Sequence, residues 1–122
     1  MKKIEAIVRK TRFEYVIQAL HEVEIDFFTY WNVRGVGTSR QGRVYRGVMY
    51  DTSSIERVML SFVVRDHLAK PAIDAITKAA HTGDVGDGKI FVSPIEESIR
   101  IRTGERGDVS LYVKEEDKII KK

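Results

Sequence analysis

Residues 58–92 read VMLSFVVRDHLAKPAIDAITKAAHTGDVGDGKIFV, and this stretch predicts a complete strand–helix–strand unit. Its opening run, residues 58–64, is almost continuously apolar, which is typical of a buried strand. Pro71 is suited to the first turn of the helix that follows. A glycine-rich turn at residues 81–89 then leads into a strand at residues 90–92. The predicted helix carries its apolar side chains at helical spacing: Ile73, Ile76, Ala79 and Ala80.

The N-terminal part of the chain repeats this order of elements. Residues 2–8 alternate as a strand does, and residues 13–23 have the period of an amphipathic helix. Residues 27–33 are aromatic and β-branched, which favours a second strand. Two such halves predict an α+β protein, a ferredoxin-like βαββαβ sandwich with both helices on one face of the sheet. Short alternations at residues 99–101 and 109–113 indicate two further extended pieces.

A long polar stretch separates the two halves. It runs from Arg34 to about Tyr50 and has neither a helical period nor a strict strand period. Loops of this length are uncommon inside a compact domain and are usually functional. The stretch is rich in glycine and arginine: Gly35, Gly37, Gly42, Gly47, Arg34, Arg40, Arg43 and Arg46.

Composition limits the classes of function. The 122 residues predict one domain, and a hydrophobic content of 43% is enough for a modest core. The chain has no cysteine, which excludes disulfides, thiolate metal sites and a cysteine nucleophile. Its net charge of +3 is small and dispersed, so nucleic acid is not an expected partner. Without a signal-peptide pattern or a run long enough to cross a bilayer, we expect a cytoplasmic protein.

The turn at residues 82–89, TGDVGDGK, is the sharpest local feature. Its glycines let backbone N–H groups approach a ligand closely, and Lys89 supplies a charge for phosphate. Arg100 and Arg102 are two residues apart, on one face of the predicted extended piece. Together these groups predict a polyphosphate site, although the Walker A spacing is absent and an ordinary tight turn is the alternative interpretation. The predicted backbone donors are the N–H groups of Gly86, Asp87 and Gly88.

Several motifs together resemble the PII family of nitrogen signalling proteins. The turn continues as TGDVGDGKIFV at residues 82–92, and IRIRTGE follows at residues 99–105. The chain opens with MKKIEAIVR, as PII proteins do, and VRGVG at residues 33–37 also fits. Tyr45-Arg46-Gly47 is similar to part of the mobile T-loop of the family.

The resemblance implies one PII-like domain over residues 1–108 and a C-terminal extension over residues 109–122. The T-loop would occupy about residues 36–50 and the B-loop residues 82–89. PII proteins are homotrimers that bind ATP or ADP between subunits, and they are regulators rather than enzymes, with at most slow ATP hydrolysis. The implied phosphate-binding residues are Gly86, Asp87, Gly88, Lys89, Arg100 and Arg102. The implied adenine and ribose side is formed by Ile7, Thr29, Gly35, Val36, Gly37 and Val63.

The family also binds Mg²⁺ and 2-oxoglutarate, through a glutamine and a lysine. The resemblance places Gln41 and Arg57 in these roles. Gln41 comes two residues later than usual, and an arginine at position 57 keeps the charge but changes its geometry. Two interpretations therefore stay open: a sensor of ATP, Mg²⁺ and 2-oxoglutarate, or an ATP/ADP sensor without the 2-oxoglutarate response.

The resemblance also indicates protein partners. Arg46 falls where the family inserts an arginine into an ammonium transporter, and Tyr50 falls where many bacterial members carry a nucleotidylylated tyrosine. A solvated arginine and a tyrosine packing the loop base are the alternatives. Implied partners are such transporters, the only link to a membrane, and proteins of nitrogen assimilation. GDGKIFVSPIEE at residues 86–97, with Tyr50-Asp51 and Met59-Leu60, is similar to the nitrogenase-associated subgroup and leaves a nitrogenase regulator open.

Two other classes of protein are weaker interpretations. An aromatic group near the second strand could form a base-stacking platform, but the chain lacks the strand signature of an RNA-recognition motif. These aromatic residues are Phe27, Phe28, Tyr30 and Trp31. An enzyme would need a nucleophile with its base, and no such pair is legible in the sequence.

Overall fold

A computed structural model of the chain describes residues 1–35, 43–45, 48–50 and 56–113, with side chains for residues 1–35 and 56–113. The described helices are α1 (Phe13–Glu22) and α2 (Asp66–Ala80), with 3₁₀ helices at Lys10–Arg12 and Gly107–Leu111. The described strands are β1 (Lys2–Arg9), β2 (Thr29–Arg34), β3 (Arg43–Tyr45), β4 (Val48–Tyr50), β5 (Glu56–Val64) and β6 (Gly88–Pro94).

Four of these strands form one antiparallel sheet in the order β2-β5-β1-β6. The two longest strands lie at its centre, and the helices α1 and α2 pack against each other and over one face. This is the ferredoxin-like α+β fold that the order of elements predicts. β6 and β2 form the two edges of the sheet, so the glycine turn before β6 and the loop after β2 begin at opposite edges.

The core lies between the sheet and the helices. Alternate residues of β1 and β5 point into it, as a period of two requires, and both strands show the burial pattern of one covered face. Each fully buried aliphatic side chain there stabilises the fold by about 1.5–3 kcal/mol, so the alternation decides which face the helices cover. The buried core residues are Ile4, Ala6, Val8, Phe13, Val16, Leu20, Ile25, Val58, Leu60, Phe62, Val64, Ala72, Ile76 and Ala80.

The opposite face of the sheet has no helix over it among the described residues. One row across it joins Trp31, Met59, Ile7 and Lys89, which are neighbours in the strand register. Trp31 is 43% exposed, and Phe91 on the same face is 52% exposed. This surface, which we call the open face, therefore exposes large apolar side chains among polar and charged ones.

The start of α2 differs from the sequence prediction. The helix begins at Asp66, five residues before Pro71, so Pro71 lies inside the helix and not in its first turn. A proline there removes one backbone hydrogen bond. The added turn packs Leu68 and Ala69 against the core, and this burial offsets the lost bond.

The C-terminal part of the described chain also differs from the prediction. Ile99 forms only an isolated bridge with Arg106, and residues 101–103 form a turn, so no extended piece carries the two arginines. The alternation at residues 109–113 is not a strand either, since the 3₁₀ helix Gly107–Leu111 occupies most of it. Positive φ angles at Gly104 and Gly107 turn the chain back at both points.

The polar stretch between the halves contains local structure that its sequence period did not indicate. β3 and β4 form a two-stranded antiparallel hairpin in which Arg43 pairs with Tyr50. At the base of the stretch, Arg34 Nη2 lies 3.5 Å from Glu56 Oε1, which joins the end of β2 to the start of β5. No helix in the described part of the chain is long and apolar enough to cross a bilayer.

Candidate functional site

The glycine turn at residues 82–87 is organised around the carboxylate of Asp87. Its Oδ2 accepts hydrogen bonds from the amides of Thr82, at 2.7 Å, and Gly83, at 2.9 Å. Its Oδ1 accepts from the Thr82 hydroxyl and, at 3.1 Å, from Arg9 Nε. The Thr82 hydroxyl, followed by the Thr82 amide, holds the pKa of Asp87 well below its ordinary value. Asp87 therefore fixes the first half of the turn with its side chain.

Two glycines in the second half of the turn allow close approaches. Gly86 and Gly88 both have positive φ, at 101° and 114°. A Cβ on Gly88 would lie 1.7 Å from the carbonyl oxygen of Ile7, because β6 passes tightly along β1 at this point. A Cβ on Gly86 would lie 3.1 Å from Arg57 Nη2 and 3.4 Å from Arg9 Nη2. Gly88 is therefore required by the packing of the backbone, and Gly86 faces two guanidinium groups.

The two guanidinium groups form a cluster that the sequence alone did not indicate as a pair. Arg9 and Arg57 are direct cross-strand partners at the end of β1 and the start of β5. Arg9 also donates to the carbonyl of Val85 at 3.0 Å, which ties it to the turn. Burial, and then the charge of Arg9, lower the pKa of Arg57, while Asp87 opposes this effect. Two cations beside one carboxylate leave an excess positive charge that suits an anion.

Several residues predicted for the adenine and ribose side share the open face. Ile7 lies directly beside Lys89 in the register of β1 and β6, and Lys89 is exposed. Thr29 pairs with Ser61, and Val63 lies two residues further along β5 on the same face. Ile7 therefore lies next to the turn. Thr29 lies on β2, the far edge strand, which Gly35 follows, and Val63 pairs with Lys3 near the start of β1.

The predicted phosphate residues fall into two groups. Gly86, Asp87, Gly88 and Lys89 are consecutive at the end of the turn. Arg100 and Arg102 belong to the separate C-terminal segment, where Arg102 is exposed in a turn. Arg100 donates to Glu105 Oε1 at 3.1 Å and to carbonyl oxygens of its own segment. Within one subunit, the structure does not bring Arg100 into contact with the glycine turn.

Four predicted residues cannot be placed. Val36, Gly37, Gln41 and Arg46 lie outside the described residues. Tyr50 is the last residue of β4, and only its backbone is described. The predictions for these five residues therefore stay predictions.

Sequence reasoning missed Arg9 and the side-chain role of Asp87. The signal for Arg9 was the register of β1 against β5, which places it opposite Arg57. For Asp87 the signal was its spacing from Thr82, since acidic residues commonly accept hydrogen bonds from nearby backbone amides in turns. Both residues connect the end of the sheet to the glycine turn.

The fold and this site define a class: small ferredoxin-like α+β proteins with a glycine turn beside two arginines at one sheet edge and a long connection between the two halves. The sequence model of the family described as "Nitrogen regulatory protein P-II" matches residues 1–105. The chain belongs to the P-II family, which confirms the resemblance seen in its motifs.

Curated relatives carry the same description. A nitrogen regulatory protein P-II from Azospirillum brasilense is 47% identical over 108 residues, which cover 88% of this chain and 96% of the relative. Proteins of the same name from Rhodospirillum rubrum and Bradyrhizobium diazoefficiens are 46% and 47% identical over the same shares of both chains. The relatives are thus named as regulatory proteins and not as enzymes.

Proposed function

We propose that this protein is a nucleotide-sensing signal transduction protein that binds ATP or ADP at the glycine turn and regulates proteins of nitrogen metabolism through its T-loop. The observation that carries the proposal is the construction of the turn. Asp87 ties its first half together, and the second half, from Gly86 to Lys89, lies beside two arginines and the apolar row of the open face. Family membership supports the same ligand class.

The adenine and phosphate ends of a nucleotide would contact different parts of this surface. Ile7, Thr29 and Val63 offer two apolar side chains and a hydroxyl for a base and ribose, and Lys89 stands next to Ile7 as a charge for phosphate. Nucleotide phosphates also bring Mg²⁺, which prefers oxygen ligands. In a trimer, Arg100 and Arg102 of one subunit would reach the turn of a neighbour; within one subunit, Arg100 donates to its own C-terminal segment.

The pair of Arg9 and Arg57 favours the interpretation that includes 2-oxoglutarate. Each guanidinium can bind a carboxylate through two hydrogen bonds, and Asp87 balances only one of the two charges. A dicarboxylate would supply the missing negative charge. Gln41 would join it through the metal, as the family resemblance implies. An ATP/ADP sensor without this response is the second candidate, and it follows from the late position of Gln41 in the sequence.

The decisive experiment is isothermal titration of the full chain with Mg-ATP and with ADP, each with and without 2-oxoglutarate. We expect Lys89→Ala to weaken nucleotide binding by about 1.5–3 kcal/mol, because it removes a charge-assisted contact. Lys78→Ala is the matched control, since Lys78 is an exposed lysine of α2 away from the turn. Equal affinity of both variants and the wild type would contradict the assignment of the turn.

The titrations with 2-oxoglutarate distinguish the two candidate functions. Tighter Mg-ATP binding in its presence, lost in Arg57→Ala, supports a nitrogen sensor that uses the arginine pair. The same affinity with and without 2-oxoglutarate supports the ATP/ADP sensor.

Partners are part of the proposal. From the cytoplasm, Arg46 and Tyr50 of the T-loop would contact an ammonium transporter, a nitrogen-assimilation protein or nitrogenase. Any hydrolysis of the bound ATP would be slow. Co-purification of the full chain with each purified partner, in Mg-ATP and in ADP, tests this. A complex with nitrogenase alone would favour the nitrogenase-associated alternative.

A further inference from the structure

Arg100 is held by a short C-terminal segment. We call residues 107–112, which comprise the 3₁₀ helix and Tyr112, the clasp. Arg100 Nη2 donates to the carbonyl oxygen of Val109 at 2.9 Å and to that of Tyr112. Its Nη1 donates to Glu105 Oε1, and only 16% of the side chain is exposed. Both hydrogens of Nη2 are therefore used by the clasp.

The clasp is fixed to the rest of the subunit at several points. A hydrogen bond of 2.6 Å joins the hydroxyls of Ser110 and Ser98, and the Gly107 amide donates to the Ser98 carbonyl at 2.9 Å. At its far end, the guanidinium of Arg65 lies 4.7 Å from the ring centre of Tyr112. The clasp is thus attached to the rest of the subunit near its start, through Gly107 and Ser110, and at its last residue, Tyr112.

The clasp and the proposed nucleotide compete for the same hydrogen-bond donors. A guanidinium that already donates to two carbonyl oxygens has fewer N–H groups for phosphate. Phosphate is a charged acceptor and forms the stronger bond, so a nucleotide would displace the neutral carbonyls at a cost in affinity. The family model matches residues 1–105, so the clasp follows directly after the matched part of the chain.

We propose that the clasp is an autoinhibitory contact that withholds Arg100 from nucleotide phosphate and is released when nucleotide binds. This inference rests on the proposed function. The apparent dissociation constant would then equal the intrinsic one divided by the fraction of subunits with an open clasp. The protein therefore responds to a higher range of nucleotide concentration than the same site without a clasp.

A reversible disulfide tests this in the full chain. The chain has no native cysteine, and the hydroxyls of Ser98 and Ser110 are close enough for Ser98→Cys/Ser110→Cys to form a single bond of about 2 Å when oxidised. We expect the oxidised protein to bind Mg-ATP about tenfold or more weakly than the same protein after reduction. The reduced form and oxidant-treated wild type are the controls. Equal affinity of the oxidised and reduced forms would overturn the proposal.

Hydrogen exchange gives a second measurement on the wild type. The amides of residues 107–112 should exchange faster at saturating Mg-ATP than without nucleotide, because the clasp opens. Unchanged exchange, with nucleotide bound, would overturn the clasp proposal and leave the proposed function intact. Failure of the wild type and the reduced variant to bind any nucleotide would overturn both.

Discussion

At the scale of single residues, Gly88 has the closest contact at its Cβ position among the described glycines. Its φ is 114°, and a Cβ added there would lie 1.7 Å from the Ile7 carbonyl oxygen, which leaves no room for a side chain. We expect Gly88→Ala to lower the free energy of unfolding by about 3 kcal/mol or more, from strain and a forced shift of β6 against β1. Urea unfolding measures this.

Gly104→Ala is the matched control for that substitution. Gly104 also has a positive φ, of 75°, but nothing lies within 4 Å of its Cβ position. Gly104→Ala should lower the free energy of unfolding by about 1 kcal/mol, because only the backbone conformation disfavours a side chain there. Equal losses in both variants would show that the contact with Ile7 relaxes easily.

Asp87 determines a dependence of stability on pH. Its pKa is lowered in the folded state, so its contribution is present above the unfolded value of about 3.9 and is lost as the pH falls toward the folded value. Asp87→Asn should therefore destabilise the protein by about 1 kcal/mol at pH 7, and the difference from wild type should narrow below about pH 4. Urea unfolding at pH 7, 4 and 3 checks this.

The control for Asp87 is an exposed acid with a single partner. Asp74 pairs with Lys70 on the surface of α2 at 2.7 Å, and its replacement by asparagine should cost at most about 0.5 kcal/mol. If the difference in free energy of unfolding between Asp87→Asn and wild type stayed constant from pH 7 to 3, this would contradict the role assigned to the ionised carboxylate.

At the scale of elements, α2 is held mainly by one buried side chain per turn. Ile76 is 1% exposed between α2 and the sheet. We expect Ile76→Ala to lower the free energy of unfolding by about 2–5 kcal/mol, because it removes buried contacts and leaves a cavity. Ile101→Ala, at a side chain that is 99% exposed, should change it by less than about 0.5 kcal/mol. Similar losses in the two variants would contradict this description of the core.

The sequence predicts elements that have a regular hydrophobic period, whereas it does not predict features that depend on tertiary contacts. The alternation of Ile4, Ala6 and Val8 placed β1 and its buried face correctly. Pro71 misplaced the start of α2, because a proline signals a boundary locally while burial of Leu68 extends the helix. The glycine turn was legible as a motif, but its link to Arg9 depends on strand register, which no local pattern encodes.

At the scale of the whole molecule, the open face determines the expected assembly. Trp31 and Phe91 are large exposed side chains on a sheet face that no described element covers, and closed symmetry would bury them between copies. We expect sedimentation to give three times the chain mass of 14.0 kDa. Phe91→Glu should shift the protein toward single chains, because a charge in that interface would lose its hydration.

Tyr15→Glu is the control for the assembly. Tyr15 is 56% exposed but lies on α1, which covers the other face of the sheet, so this variant should keep the mass of the wild type. A wild type that sediments as a single chain, or a Phe91→Glu variant that keeps the full mass, would contradict the assembly through the open face.

The ion pair between Arg34 and Glu56 joins the residues at the two ends of the long loop. Arg57, the proposed anion ligand, directly follows Glu56 in the chain. Because the sheet holds the residues at both ends of the loop close together, a change in loop shape would not have to bear the entropy cost of closing the loop again. An anion that moves Arg57 would also move Glu56, and with it one end of the loop. The residue that binds the anion, Arg57, would then be one peptide bond away from Glu56, at the end of the loop. Such a switch would not need to pass a conformational change through the core.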